Sequence, residues 1–267
     1  MKFKFAALPL MLVSAFASAE QYNSFTDADY ENRDYRGADV DILGVQSQYY
    51  FGALNTLGPR KEFNYILPVS NIYGGVASVD AGPVEDEIVT FGGEYYTGQW
   101  KVFGEFNDVF STNVYSVGAG FLFSPDLLAE VEAEKMEDED TVVYVRGKYN
   151  HQLSGTDYIG FTAEIDDGFD YRSLSSKYFT ALSGGQYLTA ELGITDTDGA
   201  DFYWNGALEF YFNENTSVGV AYDELVEDYE INATHFFNRN VAAKVAYGSN
   251  RDFDDLDMFR IGVTVQL

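Results

Sequence analysis

Residues 202–212 read FYWNGALEFYF, a stretch in which large apolar side chains alternate with mostly polar ones. The first series consists of Phe202, Trp204, Gly206, Leu208, Phe210 and Phe212, and the second of Tyr203, Asn205, Ala207, Glu209 and Tyr211. A period of two residues is typical of a β-strand whose two faces meet different surroundings. The same alternation recurs in residues 158–165 and 187–194. The stretch therefore predicts an all-β fold.

Segments of this kind, each followed by a turn, repeat along the chain. We count about sixteen, near residues 20–32, 37–52, 61–80, 85–98, 99–108, 113–123, 127–137, 140–151, 156–166, 168–182, 185–197, 200–212, 216–226, 228–238, 241–250 and 255–267. About 15 residues for one strand and its turn suit the ~9–11 residues of a membrane-crossing strand. Strands of soluble sandwiches are nearer ~5–6 residues. We therefore expect an antiparallel transmembrane β-barrel of about 16 strands, or about 12–14 if hairpins were miscounted.

The composition excludes several other classes of protein. The 267 residues include 43 acidic and 16 basic side chains and no cysteine. A lipid-anchored lipoprotein, a disulfide framework and a cysteine nucleophile are excluded, and the acidic balance disfavours nucleic acid as a partner. Beyond residue 20 no run of about 20 apolar residues predicts a spanning helix, and 17% aromatic residues argues against disorder.

The first 19 residues have the pattern of a secretory signal peptide. Lys2 and Lys4 provide the charged start, residues 5–16 the apolar centre, and residues 17–19 (Ala-Ser-Ala) the small-residue cleavage site. We therefore predict a signal peptide over residues 1–19 and one barrel domain over residues 20–267. An exported barrel of this kind is expected in the cell outer membrane, as a multi-pass protein surrounded by outer-membrane lipid and lipopolysaccharide.

Charge sorts the predicted turns into two groups. Turns that follow even-numbered segments carry few charges, whereas those that follow odd-numbered segments are strongly acidic, as in residues 137–140 (Glu-Asp-Glu-Asp). Two chemically different ends are expected when a membrane lies between them. The acidic end has two interpretations: a solvated surface, or a mouth that raises the local cation concentration. Carboxylates there are also the ligands that Ca²⁺ or Mg²⁺ would use to bridge to anionic headgroups, but we interpret residues 196–201 as a hairpin turn and predict no dedicated metal site.

Three stretches resemble the family of outer-membrane porins of Gram-negative bacteria. They are the opening strand, residues 22–30; residues 48–51, which read QYYF; and residues 57–63, which read LGPRKEF. The resemblance implies an antiparallel transmembrane barrel that lets small hydrophilic solutes diffuse passively. It also implies a homotrimer, a long loop folded into the lumen, and a C-terminal strand recognised by the barrel-assembly machinery. For that loop the best candidate is residues 74–87.

The C-terminal strand supplies most of the expected assembly signal. The chain ends in Leu267 rather than in the aromatic residue usual in the family. An apolar stripe is still present at Phe259, Ile261, Val263, Val265 and Leu267. Because this stripe is present, we still expect the barrel-assembly machinery to recognise the C-terminal strand.

If the apolar series faces lipid, the alternate residues face the lumen. The predicted pore-lining residues are Lys101, Glu105, Glu130, Glu132, Glu134, Arg146, Lys148, Glu164, Lys177, Glu191, Glu209, Lys244 and Arg260. Opposite charges on adjacent strands predict ion pairs across the wall. Two interpretations stay open: a filled, salt-bridged interior, or a wet pore with a transverse field. A barrel of ~16 strands normally leaves an aqueous channel.

The sequence gives little support to an enzyme. Its two histidines, His151 and His235, fall away from the acidic end, and no Gly-x-Ser-x-Gly segment or metal-binding spacing of histidines is present. We predict no catalytic residue, no metal and no cofactor. The predicted function is an outer-membrane porin, a passive diffusion channel for ions and small hydrophilic solutes that prefers cations. The alternative is a non-conducting structural or adhesive barrel with acidic extracellular loops.

Overall fold

The computed structural model describes residues 21–35, 38–199, 202–251 and 256–267. Within these residues, sixteen β-strands form one closed antiparallel barrel, which confirms the predicted fold class and strand number. The strands are β1 Gln21–Tyr35, β2 Ala38–Asn55, β3 Asn71–Asp80, β4 Glu85–Thr97, β5 Trp100–Val109, β6 Thr112–Ser124, β7 Leu127–Met136, β8 Thr141–Ser154, β9 Asp157–Asp166, β10 Tyr171–Ala181, β11 Tyr187–Thr197, β12 Tyr203–Asn213, β13 Thr216–Asp223, β14 Asp228–Phe236, β15 Val241–Asn250 and β16 Leu256–Gln266. The predicted signal peptide, residues 1–19, lies outside the described residues.

The first and last strands close the barrel. β1 pairs with β16 from Phe25 opposite Gln266 to Tyr35 opposite Leu256. Every other strand pairs with the strands before and after it in sequence. Each of the sixteen described strands therefore has two partners, and none of them leaves an open edge of backbone N–H and C=O groups, as a hydrocarbon environment requires.

The alternation that predicts the fold also fixes which side chains face outward. In β12, Leu208 and Phe212 are 52% and 48% exposed, whereas Tyr211 is 1% exposed. The apolar series therefore covers the outside of the barrel, where lipid replaces water as its surroundings. Among the described residues, no helix is long and apolar enough to cross a membrane.

The connection between β2 and β3 differs from the prediction. The predicted third segment, residues 61–80, is a strand only from Asn71 onward, and residues 56–70 form the longest connection between the described strands. Pro59 and Pro68 cannot donate to a strand ladder, which explains why this apolar stretch leaves the wall. The expected lumen loop at residues 74–87 is wrong, since these residues form the β3–β4 hairpin of the wall.

Candidate channel lumen

The predicted lining residues alternate with the outward apolar series, and the structure places them on the concave face. Their register brings opposite charges side by side on adjacent strands: Glu130 lies opposite Arg146, and Lys177 opposite Glu191. The full set on this face is Lys101, Glu105, Glu130, Glu132, Glu134, Arg146, Lys148, Glu164, Lys177, Glu191, Glu209, Lys244 and Arg260.

Two of these residues are buried within an ion-pair network on the β4–β8 side of the barrel. Lys101 Nζ lies 2.6 Å from Glu130 Oε1 and 2.8 Å from Glu94 Oε1, and Lys148 Nζ lies 3.4 Å from Glu130 Oε2. Glu130 is 2% and Lys101 3% exposed. They face inward but are covered by their neighbours. The pore-lining role of Lys101 and Glu130 stays a prediction, and in the structure both residues hold neighbouring strands together through ion pairs.

The same network extends to β9. Arg146 pairs with Glu164, and its Nη2 atom lies 3.4 Å from Glu132 Oε2. Nearby, the Tyr73 hydroxyl donates a hydrogen bond of 2.5 Å to Glu105. Of the two interpretations left open by the sequence, the filled and salt-bridged interior describes this side of the barrel.

The connection of residues 56–70, here called the inserted segment, folds into the lumen from the less charged end. Its Ile66 packs in a buried cluster with Leu122 and Leu128. The Tyr65 hydroxyl lies 2.6 Å from Thr162 Oγ1, and its ring lies against Gly160, where a Cβ atom would come within 2.5 Å of the ring. Glycine at position 160 thus leaves the space that the tyrosine occupies.

Charged groups anchor the inserted segment on the opposite strands. Glu62 is 5% exposed, and its Oε2 atom lies 3.0 Å from Lys177 Nζ. The Tyr211 hydroxyl donates a hydrogen bond to Glu62, and Lys177 also lies 3.0 Å from Glu191. A buried carboxylate needs partners of this kind, because an uncompensated charge in a low dielectric is costly. Lys177 therefore joins the inserted segment to the wall.

The inserted segment reaches strands on several sides of the barrel. Phe63 packs edge-on against Phe25 of β1 with ring centroids 5.4 Å apart, and Lys61 pairs with Glu209 of β12. Together with the contacts to β6, β7 and β9, these interactions place residues 56–70 across the lumen. The barrel is therefore narrowed from the less charged end, by a segment that the sequence analysis assigned in part to a strand.

A row of carboxylates on β1 was missed by the sequence analysis. Asp27, Asp29 and Glu31 alternate along the concave face, opposite Thr264, Gly262 and Arg260 of β16. The prediction overlooked them because the outward residues between them, Ala28 and Tyr30, do not make a strongly apolar stripe. The period of two in residues 25–31 is the signal that could have found them.

Open space remains on the β12–β16 and β1–β4 side, where two cavities adjoin each other. The first cavity has a volume of about 530 Å³ and is bordered by β1, β2, β3 and β4, and its lining includes Phe25, Asp27, Asp29, Gln46, Gln48, Tyr73 and Thr90. The second has a volume of about 570 Å³, and its lining includes Phe25, Asp27, Asp29, Lys61, Phe63, Glu209, Glu230, Asn232, Lys244 and Arg260. They meet at Phe25, Asp27 and Asp29. Open space bordered by polar side chains therefore remains in this half of the lumen.

Basic residues on the lining of the second cavity form ion pairs with carboxylates of β1 and β14. Lys244 pairs with Asp27, and Arg260 lies 2.7 Å from Glu31 and 3.3 Å from Glu230. Acidic and basic groups thus lie side by side along this space. Among the predicted residues, Glu209, Lys244 and Arg260 border this cavity.

The two histidines make local polar contacts. His151 Nδ1 lies 3.3 Å from the Tyr149 hydroxyl, and His235 Nδ1 lies 2.9 Å from Thr216 Oγ1. In the part of the chain that the structure describes, no group of three or more histidine, cysteine, aspartate or glutamate residues is placed to hold a metal ion.

A closed barrel with an apolar outer face and a charged lumen defines a β-barrel channel of the outer membrane. The family described as "Putative general bacterial porin" matches residues 5–267, and the chain belongs to this family. It is an outer-membrane porin, and its family and fold are those of channel proteins rather than enzymes. Among curated proteins there is no match.

Solved structures share the fold at low sequence identity. The outer membrane protein Omp33 of Acinetobacter baumannii is 14% identical, with a TM-score of 0.57 over 94% of this chain and 100% of that one. A triple mutant of the porin of Rhodopseudomonas blastica is 11% identical, with a TM-score of 0.51 over 92% of this chain and 99% of that one. These similarities concern the barrel architecture.

Proposed function

We propose that this porin is a passive diffusion channel for ions and small hydrophilic solutes, and that it prefers cations. The main support is the pair of adjoining cavities on one side of the lumen, about 530 and 570 Å³, whose linings combine carboxylates, amides and bases. Space of this size and polarity suits hydrated ions and small polar molecules, and the mixed charges provide no single binding chemistry.

The cation preference follows from the excess of carboxylates. The chain has a net charge of −27 at pH 7, and turns at one end of the barrel are acidic, as in residues 137–140. Negative charge at a mouth raises the local cation concentration and repels anions. In the lumen, Asp27 and Asp29 border both cavities, whereas the bases Lys61, Lys244 and Arg260 border only the second.

A non-conducting structural barrel is the second candidate, and the inserted segment is the observation that favours it. Residues 56–70 cross the lumen and bury Glu62 and Ile66. A segment fixed in this position would restrict passage at the less charged end.

Planar-bilayer recording of the refolded protein tests both candidates. Stable conductance steps with a reversal potential of the sign for K⁺ selectivity across a KCl gradient are expected. Conductance steps without a cation preference would support the channel function but would show that the acidic turns are only a solvated surface. Inserted, folded protein without current would refute the channel and support the structural barrel.

A further inference from the structure

The first cavity has an unusual charge balance. The charged side chains on its lining are the carboxylates of Asp27 and Asp29, and within the described chain no lysine or arginine lines it. Its other polar contributors are neutral, among them Gln46, Gln48 and Thr90. A cation entering this space therefore meets negative charge and neutral dipoles, without a fixed positive charge on the lining.

The carboxylates of β1 differ in how they are neutralised. Asp27 pairs with Lys244 and accepts a 2.6 Å hydrogen bond from Thr264. Glu31 lies 2.7 Å from Arg260 and 2.5 Å from Arg33.

Asp29, between them, makes no hydrogen bond or ion pair with any residue that the structure describes. Lys244 and Arg260 both act on it electrostatically, but each is bound to another carboxylate. Of the three charges in the row, that of Asp29 is the least compensated.

The neighbouring strand makes room for this side chain. Asp29 lies opposite Gly262 in the β1–β16 register, and a Cβ atom on Gly262 would overlap the Asp29 carboxylate. The carboxylate can therefore lie against the wall at the border of the two cavities. In this position the Asp29 carboxylate lies beside the open space and does not block it.

We propose that Asp29 is the specificity-determining residue of the lumen and gives it its preference for cations. The assignment rests on the proposed channel function and names the group responsible for its selectivity. The Asp29 carboxylate borders both cavities, so its charge acts on a solute in either one. Paired charges nearly cancel at a distance, whereas an uncompensated carboxylate keeps its field and attracts a passing cation.

Asp29→Asn tests the proposal, because it removes the charge and keeps the shape of the side chain. The reversal potential is measured across a KCl gradient near ~0.1 M salt, where the Debye length is about 10 Å. A unit charge about 4 Å from an ion in a water-like medium changes the ion's occupancy about fivefold. We expect the K⁺/Cl⁻ permeability ratio to fall by about two- to fivefold, while conductance steps persist.

Glu214→Gln is the control. It removes one carboxylate in an exposed turn outside both cavities, so the permeability ratio should stay at the native value. Asp29→Glu keeps the charge and should retain the native preference for cations.

The outcomes separate the two proposals. A native protein that inserts without current refutes the channel function, and the role of Asp29 with it. A conducting, cation-preferring native channel whose Asp29→Asn variant has an unchanged permeability ratio overturns the role of Asp29 alone. An equal fall in Asp29→Asn and Glu214→Gln also overturns it, because the total charge of the protein would then decide selectivity.

Discussion

Neutralising Glu62 is expected to loosen the inserted segment, residues 56–70. This carboxylate is 5% exposed and lies 3.0 Å from Lys177 Nζ, and it accepts a hydrogen bond from Tyr211. Glu62→Gln removes the charge that holds Lys177 while keeping an acceptor for the tyrosine. The variant thus weakens the anchor without emptying the space around it.

The size of the effect follows from the partners that remain. Breaking a buried ion pair on one side costs about 3–5 kcal/mol. Because Lys177 still has Glu191 at 3.0 Å, we expect a cost near the lower limit of this range. A loss of about 3 kcal/mol shifts the equilibrium between the inserted and the displaced segment by about 100-fold toward the displaced one.

Single-channel recording measures this shift. Glu62→Gln should spend more time than the native protein at a higher conductance level. Glu214→Gln, which changes an exposed carboxylate in the turn at the same end, is the charge-matched control and should behave as the native protein.

A cysteine at position 63 gives a second measurement, because the native chain has no cysteine. The thiol of Phe63→Cys should react faster with a thiol reagent when Glu62 is neutralised. Unchanged conductance levels, dwell times and thiol reactivity would refute the reasoning.

Three further variants test the packing of the inserted segment, the backbone conformation of one turn, and a buried ion pair. Gly160→Ala should lower the unfolding free energy by about 1–3 kcal/mol, because the new methyl group meets the Tyr65 ring; a Tyr65→Ala background should abolish the penalty in urea titrations in detergent. Ser111→Gly should raise the unfolding free energy by about 1 kcal/mol, since residue 111 has φ of 64° and a left-handed conformation costs a side chain about 1–2 kcal/mol; an unchanged urea midpoint would contradict this. Lys101→Met should destabilise the barrel by about 3 kcal/mol, because it leaves Glu130 buried beside fewer bases; Lys135→Met, at an exposed lysine, is the control, and equal losses would contradict the buried pair.

The sequence predicted most of the wall because alternation is a local property. β12 and β11 follow the expected pattern residue by residue, and the closed barrel of sixteen strands was expected from their number. The ion pair of Lys177 with Glu191 could also be anticipated, since consecutive antiparallel strands bring such residues opposite one another. These features depend on neighbours in sequence or on the next strand.

The inserted segment illustrates what local pattern leaves out. Residues 61–67 read KEFNYIL, whose apolar residues suit a strand as well as a segment packed inside a barrel. Only contacts with distant residues distinguish the two, such as Tyr65 against Thr162 and Ile66 against Leu128. The prediction at residues 74–87 failed for the same reason: loop length alone does not tell where a loop lies.

The sequence by itself determined that the chain forms a membrane barrel with an apolar outside, a charged inside and two unlike ends. Only the tertiary structure decided that one half of the lumen is filled by residues 56–70 and ion pairs, while cavities remain in the other half. It also decided that Asp29 has no ion-pair partner among the described residues, whereas Asp27 is neutralised by Lys244. The physical reason is that hydrophobic alternation acts along one strand. The occupation of the lumen and the pairing of its charges depend on side chains that closure of the barrel brings together from distant strands.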